Sequence, residues 1–335
     1  MREIDFTKII GIEGVAKYFY SSSEFISELI SAPDQKLFYK ELRIRKTNIK
    51  RRAEFRVVYK GCPQVAQIQK NIATAIDQSV TFPICVQGFV KKRSTGSNAQ
   101  QHLARKILLK ADIKDFFDSI TVDRVLAVFT ALGCERDVAD ILSRVCTLNG
   151  TLHQGLHSSP ILSNLVVKDL DSDLKELADH HGATYSRYSD DITVSTDSKL
   201  PTKEEVYSIF LKHGFLPNEN KFHVRKRGQP QYVTGLSVFD SIRPRVPKSM
   251  KKRLRLNLYF IKKFGLGDHF KRLGIPDFAQ NFYYNHLRGT LDYINAIEPE
   301  LAMKMYPLLP HLKERTSSSE EFVAGDAVRS FYEEE

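Results

Sequence analysis

The sequence predicts an α+β fold in which short strands carry acidic side chains at their ends. Residues 183–186 and 192–195 flank a tight turn, and the second run alternates apolar and polar side chains with β-branched enrichment, as a β-hairpin does. Residues 107–111 form a short apolar run that predicts another strand. Helices are predicted for most of the remaining chain, including residues 6–20, 23–31, 65–76, 122–132, 137–146, 161–180 and 249–264, and a further strand for 232–239.

Acidic side chains mark the predicted strand ends. Asp190 and Asp191 lie at the hairpin turn, where two adjacent carboxylates repel each other unless a cation binds. Asp112 directly follows the upstream strand. Three carboxylates at one point would suit two Mg²⁺ ions about 3.5–4 Å apart, the arrangement that assists in-line displacement at phosphorus. A solvated Asp-Asp turn and a helix N-cap at Asp112 explain the same residues without chemistry.

Three ordered segments resemble the motifs of reverse transcriptases. They are residues 112–117, the Gln-Gly-x-x-x-Ser-Pro-x-Leu-x-Asn-Leu string at 154–165, and the Tyr-Ser-Asp-Asp turn at 188–191. Two further elements resemble those of the retron type, namely Asn-Ala-x-x-His at 98–102 and Val-Thr-Gly at 233–235. The resemblance therefore identifies the chain as a member of the retron-type reverse transcriptases, and it covers roughly residues 39–299.

The resemblance implies the architecture of a right-hand polymerase. The expected fingers occupy residues 1–105, with N-terminal helices and a basic hairpin. The palm, 106–241, is expected to contain a ferredoxin-like antiparallel sheet and interleaved fingers helices. Residues 242–335 would form a helical thumb and an acidic C-terminal tail.

The resemblance also implies roles for individual residues. Asp112, Asp190 and Asp191 would be catalytic carboxylates and metal ligands, joined by the backbone carbonyl of Ile113. Phe117 would exclude ribonucleotides at the sugar 2′ position, although Phe116 competes with it on pattern alone. The nucleotide-binding set would be Lys46, Arg56, Phe117, Gln154, Gly155 and Lys221. The family's prolines are missing around Lys46 and Arg56, so the alignment of that hairpin stays open.

The charge of the chain agrees with a polyanionic partner. Fifty basic and 40 acidic side chains give a net charge of +10, and nine of the 21 residues in 243–263 are basic. The predicted helix 249–264 has an apolar stripe, and its basic residues would follow a nucleic-acid backbone, although such a helix also suits a membrane surface or a protein partner. The predicted RNA-binding residues are Asn98, His102, Val233, Thr234, Gly235, Lys251, Arg255 and Lys262.

The function implied by the resemblance is RNA-directed DNA synthesis from deoxynucleoside triphosphates, with two Mg²⁺ ions or Mn²⁺ as a substitute. The template would be a cognate structured noncoding RNA, and the DNA product would remain branched to it. Further expected partners are an effector protein in phage defence and a host ribonuclease H. No apolar run has membrane-spanning length, and the four cysteines lack CxxC spacing, so a cytoplasmic protein is expected. Two alternatives remain, another bacterial reverse transcriptase (intron-encoded or defence-associated) and a non-catalytic RNA-binding scaffold that restrains an effector.

Overall fold

The computed structural model describes residues 4–45 and 55–311. Within these ranges the chain is a mixed structure of helices and antiparallel sheets, so the α+β prediction is confirmed. The strands are β1 (Tyr39–Arg45), β2 (Phe55–Gly61), β3 (Ile107–Asp112), β4 (Thr184–Tyr188), β5 (Asp191–Thr196), β6 (His223–Lys226), β7 (Tyr232–Val233) and β8 (Leu236–Ser237).

Helices make up most of the rest. The α-helices are α1 (Gly11–Phe19), α2 (Ser23–Ser31), α3 (Pro63–Ser79), α4 (Thr95–Gln100), α5 (Val122–Ala131), α6 (Arg136–Cys146), α7 (Ser159–Val166), α8 (Lys168–His180), α9 (Lys203–Lys212), α10 (Lys248–Phe264), α11 (Leu266–Arg272), α12 (Gln280–Ile297) and α13 (Pro299–Met305). Short 3₁₀ turns occupy Phe6–Lys8, Gln35–Phe38, Glu219–Lys221, Asp277–Ala279 and Tyr306–Leu308. No helix of the described residues has the length and apolar character needed to cross a bilayer.

A four-stranded antiparallel sheet lies at the centre, with strand order β4-β5-β3-β6. The predicted hairpin is β4–β5, and the predicted upstream strand is β3, which pairs with β5 along its whole length. Both β3 and β5 are almost continuously buried, and in β5 the buried positions include the polar side chains of Thr193 and Ser195. Two smaller sheets are the hairpins β1–β2 and β7–β8.

Local sequence signals account for several helix boundaries. Thr202 accepts a hydrogen bond from the Glu205 amide, and the Glu205 side chain accepts one from the Thr202 amide, which is a capping box at the start of α9. Pro160 lies in the first turn of α7, where a missing amide hydrogen costs nothing. The predicted single helix 161–180 is wrong in one respect, because the chain breaks at Val167 between α7 and α8.

Two hydrophobic cores organise the described residues. The larger one joins the N-terminal helices, α3, α5 to α9 and one face of the central sheet. The second is built mainly from α10 to α13 and also includes Ala99 of α4, Leu108 of β3 and the β7–β8 hairpin. The apolar stripe predicted on α10 lies in this second core, with Leu254, Leu258 and Ile261 buried and Met250 partly buried against it. Amphipathic periodicity therefore predicted this helix and its buried face correctly.

One predicted strand is wrong. Residues 232–239 do not form a continuous strand but the two-residue strands β7 and β8, joined by a turn at Thr234 and Gly235. Both turn residues have positive φ, 46° and 81°, as the central residues of a type I′ hairpin turn do. The β-branched composition of the segment indicated the strands but concealed the turn.

Candidate active site

The end of β3 and the start of β5 carry two facing carboxylates. Asp112 lies directly across from Asp191 in the antiparallel register. Asp190 occupies the two-residue turn before β5, and its carbonyl oxygen accepts a hydrogen bond from the Ile113 amide at 3.2 Å. Like charges directly opposite on neighbouring strands destabilise the pair. This corner of the sheet therefore gathers the three predicted carboxylates and requires positive charge to offset their repulsion.

Lysine side chains supply positive charge to two of these carboxylates. Lys221 Nζ lies 2.6 Å from Asp112 Oδ2, and Lys110 Nζ lies 2.7 Å from Asp191 Oδ2. The Asn218 side-chain amide donates to Asp112 Oδ1 at 3.0 Å. Sequence reasoning identified Lys221 but missed Lys110 and Asn218. Strand alternation would have indicated Lys110, because residues two apart on a strand share a face.

Burial disfavours the charged forms of Asp112 and Asp191. It raises the pKa of Asp112 to about 6; hydrogen bonds from Lys221 and Asn218 oppose this increase, and the charge of Asp190 adds to it. Burial likewise raises the pKa of Asp191, against the attraction of Lys110. Burial alone would lower the pKa of Lys221, but its contacts with Asp112 raise it overall. The ammonium groups of Lys110 and Lys221 thus partly offset the cost of negative charge at this buried site.

Two neighbouring phenylalanines beside the carboxylates differ in exposure. Phe116 is buried and its ring centroid lies 6.3 Å from that of Phe215, inside the larger core. Phe117 is only half-buried, and its ring centroid lies 6.1 Å from that of Phe89. Of the two, Phe117 is therefore the side chain that can contact a ligand. Phe89 forms an aromatic surface with it, which sequence reasoning missed.

The loop that carries Gln154 and Gly155 packs against β2. The Tyr59 amide donates to the Gln154 carbonyl at 2.8 Å. Gly155 has a φ of 99°, and an added Cβ would lie 2.3 Å from the Tyr59 carbonyl oxygen. Glycine is required here both by the positive φ and by the close approach of two backbones. This contact brings the predicted nucleotide loop against the strand that bears Arg56, which is exposed.

A family model described as reverse transcriptase (RNA-dependent DNA polymerase) matches residues 44–233, more than half of the chain. The protein belongs to the reverse transcriptase family. This match includes the corner of the central sheet where Asp112, Asp190 and Asp191 lie.

Similar curated proteins specify the type of reverse transcriptase. Retron Ec86 reverse transcriptase of Escherichia coli is 26% identical over 264 residues, which cover 78% of this chain and 77% of that protein. Retron Mx65 reverse transcriptase of Myxococcus xanthus is 30% identical over 278 residues, covering 76% and 61% respectively. Retron Ec73 reverse transcriptase of E. coli is 28% identical over 276 residues, covering 76% and 83%. The predicted retron type is confirmed, and the protein is an RNA-directed DNA polymerase.

The Asn-Ala-x-x-His element of this reverse transcriptase lies inside the molecule, which corrects the prediction that it contacts RNA. Asn98 and His102 are buried, with exposed fractions of 1% and 0%. His102 lies 2.7 Å from both Ser186 Oγ and Ser195 Oγ, and Ser186 donates to Asn98 Oδ1 at 2.6 Å. These side chains hold α4 against the β4–β5 hairpin and present no polar atom to an RNA.

The Val-Thr-Gly element also contributes to packing inside the molecule. Val233 is fully buried in the second core, and Thr234 Oγ1 donates to the Thr95 carbonyl at 2.9 Å. Of the three residues only Gly235 is exposed, so contact of Val233 with RNA is wrong for this structure. The β7–β8 hairpin packs on α4, which makes the two retron elements neighbours.

The basic residues of α10 have two different environments. Arg255 and Lys262 are exposed, as a surface that binds a phosphate backbone requires. Lys251 is half-buried, and its ammonium group lies 2.9 Å from Glu298 Oε1. Contact of Lys251 with RNA stays a prediction, although its ammonium group is already paired with Glu298 in the C-terminal core. Lys46 and the acidic tail from residue 316 lie outside the described residues.

Reverse transcriptases generally use divalent metal ions. Within residues 4–45 and 55–311, no group of three or more His, Cys, Asp and Glu side chains is arranged to hold a metal ion, and lysines engage two of the predicted ligands. The donor set nevertheless fits, because carboxylate oxygens are the ligands that hard divalent cations prefer. Asp112, Asp190 and Asp191 are the residues of this corner that would hold such ions.

Proposed function

We propose that the enzyme copies a structured noncoding RNA into single-stranded DNA that stays joined to the RNA through a branch. The retron reverse transcriptases among its relatives support the choice of template and product. The observation that carries the assignment of the site is the register of β3 and β5, with Asp112 opposite Asp191 and Asp190 in the adjoining turn. In this proposal these three residues are the catalytic carboxylates.

The polymerase regions follow from the same proposal. The fingers comprise residues 1–105, the palm 106–241 and the thumb with its tail 242–335. The central antiparallel sheet is the core of the palm, and the second hydrophobic core, which includes α10 to α13, supports the thumb.

Side chains around the carboxylates select and orient the nucleotide. Phe117 packs against the sugar at C2′ and leaves no room for a ribose hydroxyl. Arg56 and Lys221 contribute positive charge to the triphosphate, with Lys221 already beside Asp112. Gln154 and Gly155 line the pocket, and Lys46 remains a prediction for the same role.

Two Mg²⁺ ions, or Mn²⁺ in their place, would when bound neutralise charge on the attacking and leaving oxygens. Asp112, Asp190, Asp191 and the Ile113 carbonyl are the proposed ligands. The contribution of the chain itself is to place these oxygen atoms at one end of the sheet and to exclude water around the nucleotide.

The proposed biological setting is a retron that defends against phage. The RNA–DNA product and the enzyme would restrain an effector protein, and a host ribonuclease H would remove template RNA. RNA that copurifies with the enzyme should be one abundant structured species. The DNA joined to this RNA should be released when debranching enzyme cleaves the 2′–5′ branch. A DNA product that already has a free 5′ end would contradict this part of the proposal.

Asp112→Asn and Asp190→Asn test the site directly. Each should abolish primer extension at ordinary Mg²⁺ concentrations and leave RNA affinity nearly unchanged, because a ligand for cations is lost rather than a phosphate contact. Asp123→Asn is a matched control, since Asp123 is an exposed carboxylate in the first turn of α5. Substantial extension by either site variant would disprove the assignment.

A further inference from the structure

A buried ion pair lies beneath the Tyr-Ser-Asp-Asp turn. The side chain of Arg187, on β4, is fully buried, and that of Asp171, on α8, is 3% exposed. Arg187 Nε and Nη2 donate to the two carboxylate oxygens of Asp171, each at 2.7 Å, and Tyr185 donates to the same carboxylate at 2.6 Å. Burial alone would lower the pKa of Arg187, but Asp171 raises it overall, so the guanidinium stays charged. Because such pairs are expensive to desolvate, stability alone is a weak reason for this one.

The free end of the guanidinium reaches the turn itself. Arg187 Nη1 donates to the Ser189 carbonyl and to Asn164 Oδ1, both at 3.0 Å. Four of its five N–H groups are thereby used, in a planar arrangement that lysine cannot reproduce. The Ser189 carbonyl belongs to the peptide that leads into Asp190, so this hydrogen bond orients the backbone that carries the carboxylates.

Gly88 supports the turn from the other side. The Asn164 side-chain amide donates to the Gly88 carbonyl at 2.9 Å, which ties the 88 loop to the same network. An added Cβ at Gly88 would lie 2.5 Å from the Ser189 amide nitrogen. The backbone of the turn is therefore enclosed between Arg187 and Gly88.

The turn needs this support because its conformation is unusual. Ser189 has a φ of 61°, in the left-handed region that residues with a side chain rarely adopt. Positive φ at the first central residue of a two-residue hairpin turn is normally assigned to glycine. A sparsely populated backbone geometry persists only where its surroundings determine it, and here those surroundings are Arg187, Asn164 and Gly88.

We propose that Arg187, held by Asp171, is a positioning residue of the polymerase site. Its guanidinium fixes the Ser189 carbonyl and so sets the direction in which Asp190 and Asp191 point. This inference rests on the proposed roles of Asp190 and Asp191. In this proposal, the function of the buried ion pair is to hold the neighbouring carboxylates in the geometry that catalysis requires.

The test replaces the pair without leaving a buried charge. In the double variant Arg187→Met with Asp171→Asn, Tyr185 keeps an acceptor, while Ser189 and Asn164 lose their donor. We expect kcat for DNA synthesis to fall by roughly 10²-fold, the scale of a small misplacement of reacting groups. The KM for deoxynucleotides and the Kd for RNA should stay within about twofold of the parent, because neither binding surface is altered.

Two single variants approach the same turn independently. Arg187→Lys keeps the charge but cannot contact Asp171, Asn164 and Ser189 together, so kcat should fall by an intermediate factor. Gly88→Ala presses on Ser189 from the opposite side and should also lower kcat alone. Leu29→Ala, in the buried core of α2, is the control for lost stability, and it should lower Tm without changing kcat.

The outcomes separate this inference from the proposed function. Normal kcat in the double variant, with Asp190→Asn inactive, would overturn the positioning role and leave the catalytic assignment intact. An active Asp190→Asn would overturn the catalytic assignment itself. The positioning role would also be overturned if Leu29→Ala, at a similar loss of Tm, lowered kcat as much as the double variant does. A loss of RNA affinity as large as the loss of kcat would overturn it as well. If the double variant does not fold, the two single variants decide the question by the same criteria.

Discussion

His102 Nε2 lies 2.7 Å from Ser186 Oγ in the interior between α4 and the β4–β5 hairpin. Ser186 uses its hydroxyl hydrogen to bond Asn98 Oδ1, so it accepts the hydrogen bond from His102 Nε2–H. His102 Nδ1, 2.7 Å from Ser195 Oγ, must then accept a hydrogen bond from Ser195. The three contacts form one directed chain that fixes a single neutral tautomer of the imidazole.

Acid should destabilise the fold through His102. Burial lowers the pKa of His102 from 6.5 to about 3, and the positive charges of Arg105 and Lys110 add to the decrease. Between these two values the unfolded chain binds one more proton than the folded chain, so stability falls as pH falls. Its contribution is complete above about pH 6.5 and decreases by up to about 1.4 kcal/mol per pH unit below it.

His102→Gln isolates this contribution. A glutamine amide offers an acceptor oxygen and a donor nitrogen, as the neutral imidazole offers one acceptor and one donor nitrogen, but it does not titrate. Urea unfolding at pH 7 and pH 5 should show that the wild-type chain loses more stability than the variant. Equal losses in the two proteins would mean that His102 is not held neutral.

Phe117→Val should weaken the discrimination against ribonucleotides. Removing the ring opens space at the proposed 2′ position, and the ratio of kcat/KM for ribonucleotides to that for deoxynucleotides should rise by roughly tenfold or more. Single-nucleotide incorporation kinetics measure this ratio. Phe116→Leu serves as the control, because Phe116 is buried and should affect stability rather than sugar choice. A changed ratio in Phe116→Leu alone would reassign the gate.

Gly155→Ala should impair the nucleotide pocket more than the strain of a positive φ alone would. The new Cβ would meet the Tyr59 carbonyl oxygen and Val58 Cγ1, at 2.3 and 2.5 Å, and push the loop away from β2. We expect the KM for deoxynucleotides to increase several-fold. Gly150→Ala is the matched control, since Gly150 has a φ of 83° but nothing within 4 Å of its added Cβ. Equal KM values in the two variants would contradict a role for the packed loop.

Arg255 and Lys262 should bind RNA while Lys251 stabilises the fold. Replacing Arg255 and Lys262 with glutamine should weaken RNA affinity and flatten its salt dependence by about one unit of slope per lost phosphate contact. Lys251→Gln should instead lower Tm, because it leaves the buried carboxylate of Glu298 with less compensating charge. Fluorescence anisotropy titrations at several salt concentrations, together with thermal melts, would distinguish these effects. Reduced slope in Lys251→Gln with unchanged Tm would reverse the assignment.

Local patterns explain what could be predicted from the sequence. The β4–β5 hairpin, β3 and α10 follow from alternation and periodicity within a few residues. The hairpin and β3 are the elements that carry Asp112, Asp190 and Asp191. The family motifs then indicated which carboxylates belong together. Neither step required knowledge of contacts between distant segments.

Several of the missed features depend on such contacts. Arg187 reads as an ordinary charged residue on a strand until α8 places Asp171 against it. Asn98 and His102 read as polar and accessible, but packing of α4 on the sheet buries both. Whether a hydrogen-bonded polar network is buried depends on tertiary packing. A sequence pattern that suggests RNA binding can therefore equally belong to residues that stabilise the fold.

The short helix α4 contains Asn98 of one retron element and packs against the other, although the two elements are far apart in the chain. Just beyond its end, the His102 network holds the β4–β5 hairpin, and at its start Thr95 accepts the hydrogen bond from Thr234, 139 residues away. Grafting one element alone into another polymerase would therefore transfer only one side of this contact. Chimeras should retain their fold only when the segment with α4 and the β7–β8 hairpin are exchanged together, so recombination boundaries belong outside this pair rather than between its members.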